Sequence, residues 1–133
     1  MARPALTANV DNLILQEGSG ALQGTGNSGV NAIFGNSGDN RLDGGVGSDK
    51  LTGGAGNDTF AFYAGQGNGD IVVDFAGNGA ATGDSLQFVG YGTGATFTQN
   101  DTTHWQVNYN GSSHEIITFS NGAVIHTSDV LFM

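Results

Sequence analysis

Between Gly26 and Ala61 the chain reads GNSGVNAIF (26–34), GNSGDNRLD (35–43), GGVGSDKLT (44–52), GGAGNDTFA (53–61), four nines in tandem. Position one is Gly26, Gly35, Gly44 and Gly53, and position four is Gly29, Gly38, Gly47 and Gly56. Position six is Asn31, Asn40, Asp49 and Asp58, and position eight is Ile33, Leu42, Leu51 and Phe60. A flexible linker does not hold four columns of constant chemistry at a fixed period; a stacked repeat does. Glycine at fixed places allows a tight turn and close backbone approach. The x-U-x triplet after each turn is a strand of three residues with one apolar side chain pointing inward. Two nines then complete one turn of a parallel coil. Ile33 stacks toward Leu51, and Leu42 toward Phe60, so two thin sheets enclose one apolar seam.

Composition agrees with a narrow core. Only 38% of the 133 residues are hydrophobic, 24 are glycine, and cysteine is absent. Without cysteine there is no disulfide framework and no thiolate metal site. Twelve acidic residues against Arg3, Arg41 and Lys50 give a net charge of −9, which argues against nucleic acid and anionic surfaces and favours cations. No apolar run is long enough for a membrane span, and Leu13-Ile14-Leu15 is too short for an N-terminal export signal.

Position six carries the chemistry. Stacked turns set one Asp or Asn above another, with turn carbonyls facing the same gap. Several hard oxygens in a flexible arrangement suit calcium, whereas magnesium demands a stricter octahedron. The sequence here resembles the RTX nonapeptide family, G-G-x-G-x-D-x-U-x. Gly44–Leu51 and Gly53–Phe60 match every fixed position, while the two upstream copies carry Asn27 and Asn36 at position two and Asn31 and Asn40 at position six. A further copy, shifted by three residues, lies at Gly65–Val72, with Asp70 in the ligand column and Val72 in the core column.

The resemblance implies calcium between a repeat and the one two further on. It pairs Asp49 with Asp70, Asp58 with Asn40, and Asp49 with Asn31. Carbonyls of Gly44, Gly45, Val46, Gly47, Gly53, Gly54, Ala55, Gly56, Gly65 and Gly67 would complete shells for about two to three ions. It also implies a non-enzymatic module of an extracellular bacterial protein, exported by type I secretion machinery through a C-terminal signal. The terminal Ser128–Met133, an acidic residue followed by an apolar tail, is similar to such a signal and also reads as a last core strand.

The expected fold is all-β: a parallel β-roll, a right-handed β-solenoid, capped by C-terminal antiparallel strands in one monomeric domain. Residues 1–25 form a leading tail (Met1 to Ala8) and irregular cap turns, 26–73 the roll, and 74–133 the capping strands. Within the last region, Thr96–Gln99 and His104–Tyr109 alternate about Asn100-Asp101 as a hairpin. Asn110-Gly111 turns into Glu115–Phe119. Trp105 and Tyr109 offer a sugar platform if exposed, so binding of an extracellular polysaccharide, as in modules similar to those beside mannuronan epimerases, is the competing function.

Three catalytic lookalikes fail on context. Gly24-x-Gly26-x-x-Gly29 has no amphipathic pattern after it, His114-Glu115 lacks the second histidine of a zinc-protease motif, and His104, His114 and His126 fall on predicted strands. Asp74 reads as a strand cap, and Asp84 as a cap or a peripheral calcium ligand.

Overall fold

A computed structural model describes residues 4–77 and 83–133. Short strands alternate between two sheets as the chain coils. Asn12–Ile14 (β1), Ala32–Phe34 (β3), Lys50–Thr52 (β5) and Ile71–Val72 (β7) stack in one. Gln23–Thr25 (β2), Arg41–Asp43 (β4), Thr59–Tyr63 (β6) and Ser85–Val89 (β8) stack in the other. All these pairings are parallel.

The register is the one the nine-residue period demands. Ile33 pairs with Leu51 and Leu42 with Phe60. Leu51 in turn pairs with Val72, which places the three-residue shift where the sequence has it. Side chains of both sheets meet in one core that contains Ile33, Leu42, Leu51, Phe60, Val72 and Leu86, all fully buried. Each such burial is worth about 1.5–3 kcal/mol, so a single inward residue per strand is enough to hold a coil this thin. In β2 the inward place is taken by Gly24, and Leu13, Leu15 and Ile33 fill the volume a side chain would have used.

Parallel stacking continues past residue 73. Ser85–Val89, expected in the antiparallel cap, lies parallel on β6, and Val130–Phe132 (β12) lies parallel on β8. Thr96–Gln99 (β9), His104–Tyr109 (β10) and Ser113–Phe119 (β11) form the antiparallel meander that was anticipated. The end of β11 pairs parallel with β7, joining the meander to the coil. At the other end, the expected tail is partly structured: Ala5 bridges to Thr25, Leu6 donates to Thr25 O (2.9 Å) and Thr25 donates to Pro4 O (3.0 Å). An edge strand invites such pairing because its amides and carbonyls are otherwise unmatched. Met1–Arg3 lie outside the described residues.

Aromatic rings fill the C-terminal end of the core. Phe88 stacks on Phe62 (5.4 Å between centroids) and meets Phe97 (4.9 Å), which stacks on Trp105 (4.9 Å). Among the described residues no helix is long and apolar enough to cross a membrane.

Candidate metal centre

Parallel register carries position six onto position six. One column runs Asn31, Asp49, Asp70 at the entry to β3, β5 and β7. The other runs Asn40, Asp58, Asp84 at the entry to β4, β6 and β8. All six residues are buried. In each column a carboxylate Oδ1 accepts the backbone N–H of the column residue one turn earlier. The distances are 2.7 Å for Asn31 to Asp49, and 2.8 Å for Asp49 to Asp70, Asn40 to Asp58, and Asp58 to Asp84.

The turns are of two kinds, and position two decides which. In the Asn turns, the N–H of Asn27 donates to Asn31 Oδ1 (2.9 Å) and that of Asn36 to Asn40 Oδ1 (2.8 Å). The side-chain amides of the same residues tie down carbonyls of the preceding turn. Asn27 Nδ2 donates to Thr7 O (2.8 Å) and Val10 O (2.7 Å), and Asn36 Nδ2 to Gln16 O (2.9 Å) and Gly20 O (3.0 Å). In the Asp turns, Gly45 and Gly54 have φ of +81° and +89°, a conformation open to glycine. Their N–H groups turn elsewhere, to Asp43 Oδ1 (3.0 Å) and Asp74 Oδ2 (2.8 Å). Asp49 Oδ2 and Asp58 Oδ2 are consequently buried with no hydrogen-bond partner among the described residues.

Those two oxygens lie beside position one of their own turns. A Cβ added at Gly35 would collide with Gly53 O one turn on and with Asn40 Oδ1, so that face of position one looks forward along the coil. On the same face, a Cβ at Gly44 would strike Asp49 Oδ2, and one at Gly53 would strike Asp58 Oδ2. Neighbouring turns also bring their carbonyls close: a Cβ at Gly45 would stand 2.7 Å from Asn27 O, and one at Gly54 2.8 Å from Asn36 O. Val46 and Ala55, at the turn tips, are exposed. Gly67 differs from its counterparts, because its N–H donates to Glu115 Oε1 (2.9 Å) on β11.

Burial and mutual repulsion show in the acidity of the column. Burial first, then neighbouring carboxylates, push Asp49 up to about 6, Asp58 to about 7 and Asp70 to about 8. The backbone N–H groups each accepts pull partly the other way. Burial raises Asp43 and Asp84 as well. A buried carboxylate oxygen without a donor is costly, and two near each other more so. A hard dication relieves both penalties, and an all-oxygen donor set matches calcium. Among the described residues no three His, Cys, Asp or Glu converge on one point, so two carboxylates and turn carbonyls would have to make each shell. The histidines stand apart from this: His104 pairs with Asp101 (2.9 Å) and His126 with Asp129 (3.2 Å).

Residues 25–60 match the RTX calcium-binding nonapeptide repeat in four copies. These turns are similar to RTX calcium-binding repeats. Comparison with curated proteins finds no match. Among solved structures, the RTX-bearing chain is similar to the solution structure of the AlgE6R3 subunit from the Azotobacter vinelandii mannuronan C5-epimerase. That similarity has 24% identity and a TM-score of 0.59, over 94% of this chain and 82% of that one. The AlgE6R2 subunit of the same epimerase is similar at 22% identity and a TM-score of 0.51, over 94% of both chains. At these identities the likeness shows the fold, a parallel β-roll.

The RTX motif locates Asp49 and Asp58, and the structure seats both where the motif puts them. Two acidic residues outside the motif join them. Asp84 continues the second column, and Glu115 closes the 65–70 turn from β11, buried like the column itself. The Asp at the entry to β8 is the sequence signal for Asp84. Nothing in the β11 segment marks Glu115 beyond its alternation with Ile117. Trp105 and Tyr109, read as a sugar platform if exposed, are half-buried against the core, with Trp105 on Phe97 and Tyr109 edge-on to Tyr91 (4.9 Å).

Proposed function

We propose that the chain is a calcium-folded RTX module, serving export and extracellular stabilisation of a larger secreted protein. The observation that carries this is the pair of buried, partnerless oxygens, Asp49 Oδ2 and Asp58 Oδ2, each beside position one of a glycine-opened turn. Asp49 and Asp70 would hold one ion with carbonyls of Gly44, Gly45, Val46 and Gly47 and of the 65–70 turn, Gly65 and Gly67 included. Asp58 would act with carbonyls of Gly53, Gly54, Ala55 and Gly56. Bound calcium supplies positive charge between facing carboxylates and ties successive turns together. Asn31 and Asn40 bring no charge to a slot, which ranks them below the Asp residues as ligands.

Inside a cell, where free calcium is scarce, the acidic turns repel one another and the chain stays open for passage through type I machinery. Extracellular modules bind at about 10⁻⁴–10⁻³ M, a range that outside calcium fills. The experiment is calorimetric titration with calcium, accompanied by circular dichroism in chelator. Saturable binding with a gain of β signal is expected. A chain that is fully folded in chelator and takes up no calcium would remove this reading.

Polysaccharide binding is the competing reading. In its favour is a cavity of about 440 Å³ lined by Phe97, Trp105, Ile125, His126, Val130 and Phe132. Against it, the rings pack inward, and Arg41 is held by Gln87 (2.9 Å) and Tyr63 (3.1 Å) on the sheet face. Titration with neutral and anionic oligosaccharides in calcium separates the two readings.

A further inference from the structure

We propose that Asp84, which belongs to no nonapeptide, is a calcium ligand, and that it forms with Asp58 a second slot at the far end of the RTX repeats. This rests on the calcium reading above and extends it beyond the motif.

Three observations support it. First, Asp84 repeats the contact that Asp70 makes in the other column: its Oδ1 accepts the N–H of Asp58 (2.8 Å), as Asp70 Oδ1 accepts that of Asp49 (2.8 Å). The register agrees, since Phe60 pairs with Leu86 and Ser85 donates to Asp58 O (2.8 Å). Second, Asp58 is 1% exposed, and its Oδ2, beside Gly53 of its own turn, has no hydrogen-bond partner among the described residues. The wall opposite is fixed, because Asp84 Oδ2 accepts from Ala76 (2.9 Å) and Asp74 accepts from both Gly53 and Gly54 (2.8 Å each). Third, among the described residues no ion pair involves Asp58 or Asp84. Among the described residues the ion pairs are His104–Asp101 and His126–Asp129, and the Arg41 guanidinium is engaged by Gln87 and Tyr63.

The two slots are thus equivalent in construction although only one lies between recognisable repeats. Each has an Asp turn opened by a positive-φ glycine below and an Asp from the next coil above. The three-residue shift hides the partner of the first slot only slightly. The partner of the second stands 26 residues on, in the register of Thr59 with Ser85, where no glycine pattern remains.

The test is calcium stoichiometry. In Asp84→Asn the amide oxygen still accepts the Asp58 N–H, while the charge and the acceptor for the Ala76 N–H are lost. Calorimetry should show one equivalent fewer than the parent, with the remaining site at parental affinity. Asp58→Asn should lose the same equivalent, and the double variant no more. Retention of every equivalent at parental affinity in Asp84→Asn would overturn the proposal. Parent crystals grown in millimolar calcium decide the matter independently of how the variants fold. An anomalous peak between Asp58 and Asp84 is expected. A peak between Asp49 and Asp70 alone would refute this second slot and leave the calcium reading standing, whereas no calcium uptake at all would refute that reading first.

Discussion

Removing calcium should cost this protein most of its thermal margin. The structure offers two slots, each with a buried oxygen that lacks a partner. A ligand that binds only the folded state stabilises it by about 2.7 kcal/mol per site at a hundredfold excess over Kd, so two sites contribute about 5 kcal/mol. That is about the whole stability of a marginal domain. Unfolding entropy of about 2.1 cal/mol/K per residue means that such a change moves the midpoint of a chain this size by roughly 15–20 °C. Differential scanning calorimetry in saturating calcium and in chelator measures the shift directly. Magnesium at the same concentration is the control and should give little, since it resists irregular, water-poor shells. Equal midpoints in calcium and chelator would refute the account, because buried carboxylates would then be satisfied without an ion.

Acidity should act in opposite directions on the two forms. Asp49, Asp58 and Asp70 sit at about 6, 7 and 8 when folded without metal, against an ordinary 3.8. The folded form therefore holds extra protons in that window, and metal-free stability falls as pH rises through 6 to 8. With calcium the slope reverses, as ligands must be deprotonated; urea midpoints at pH 5 and pH 8 check both signs. Asn36→Ala deletes the amide links to Gln16 O and Gly20 O and should cost about 2–3 kcal/mol in chemical denaturation without changing the number of ions bound. Leu51→Ala should cost about 2–5 kcal/mol by the same assay, since the side chain is fully buried between Ile33 and Val72.

The nine-residue period made the coil legible wherever it is unbroken. Ile33 over Leu51, Leu42 over Phe60, and even the shifted Val72 follow from spacing, because one inward residue per strand fixes the register. Legibility stops where insertions lengthen the loop between stacked strands. β8 pairs with β6 across 26 residues and β12 with β8 across 44, as from Thr59 to Ser85 and from Leu86 to Val130. An alternating strand looks the same whether its neighbour runs parallel or antiparallel, so Ser85–Val89 carried no mark of its partner. Asp84 inherited that ambiguity, and its place in the column came only with the pairing. The exposure of Trp105 and Tyr109 was illegible for a related reason: alternation shows that they share a face, not which way the face points.

The Asn turns have a consequence for the ions they do not touch. Their amide groups fasten carbonyls of the preceding coil with no help from solution, and the backbone N–H groups of Asn31 and Asn40 then hold the carboxylates of Asp49 and Asp58 in place. One jaw of each clamp is thus set before any ion arrives. Loosening that metal-independent half would weaken calcium capture from a distance, by making the ion bear the ordering entropy of both jaws rather than one.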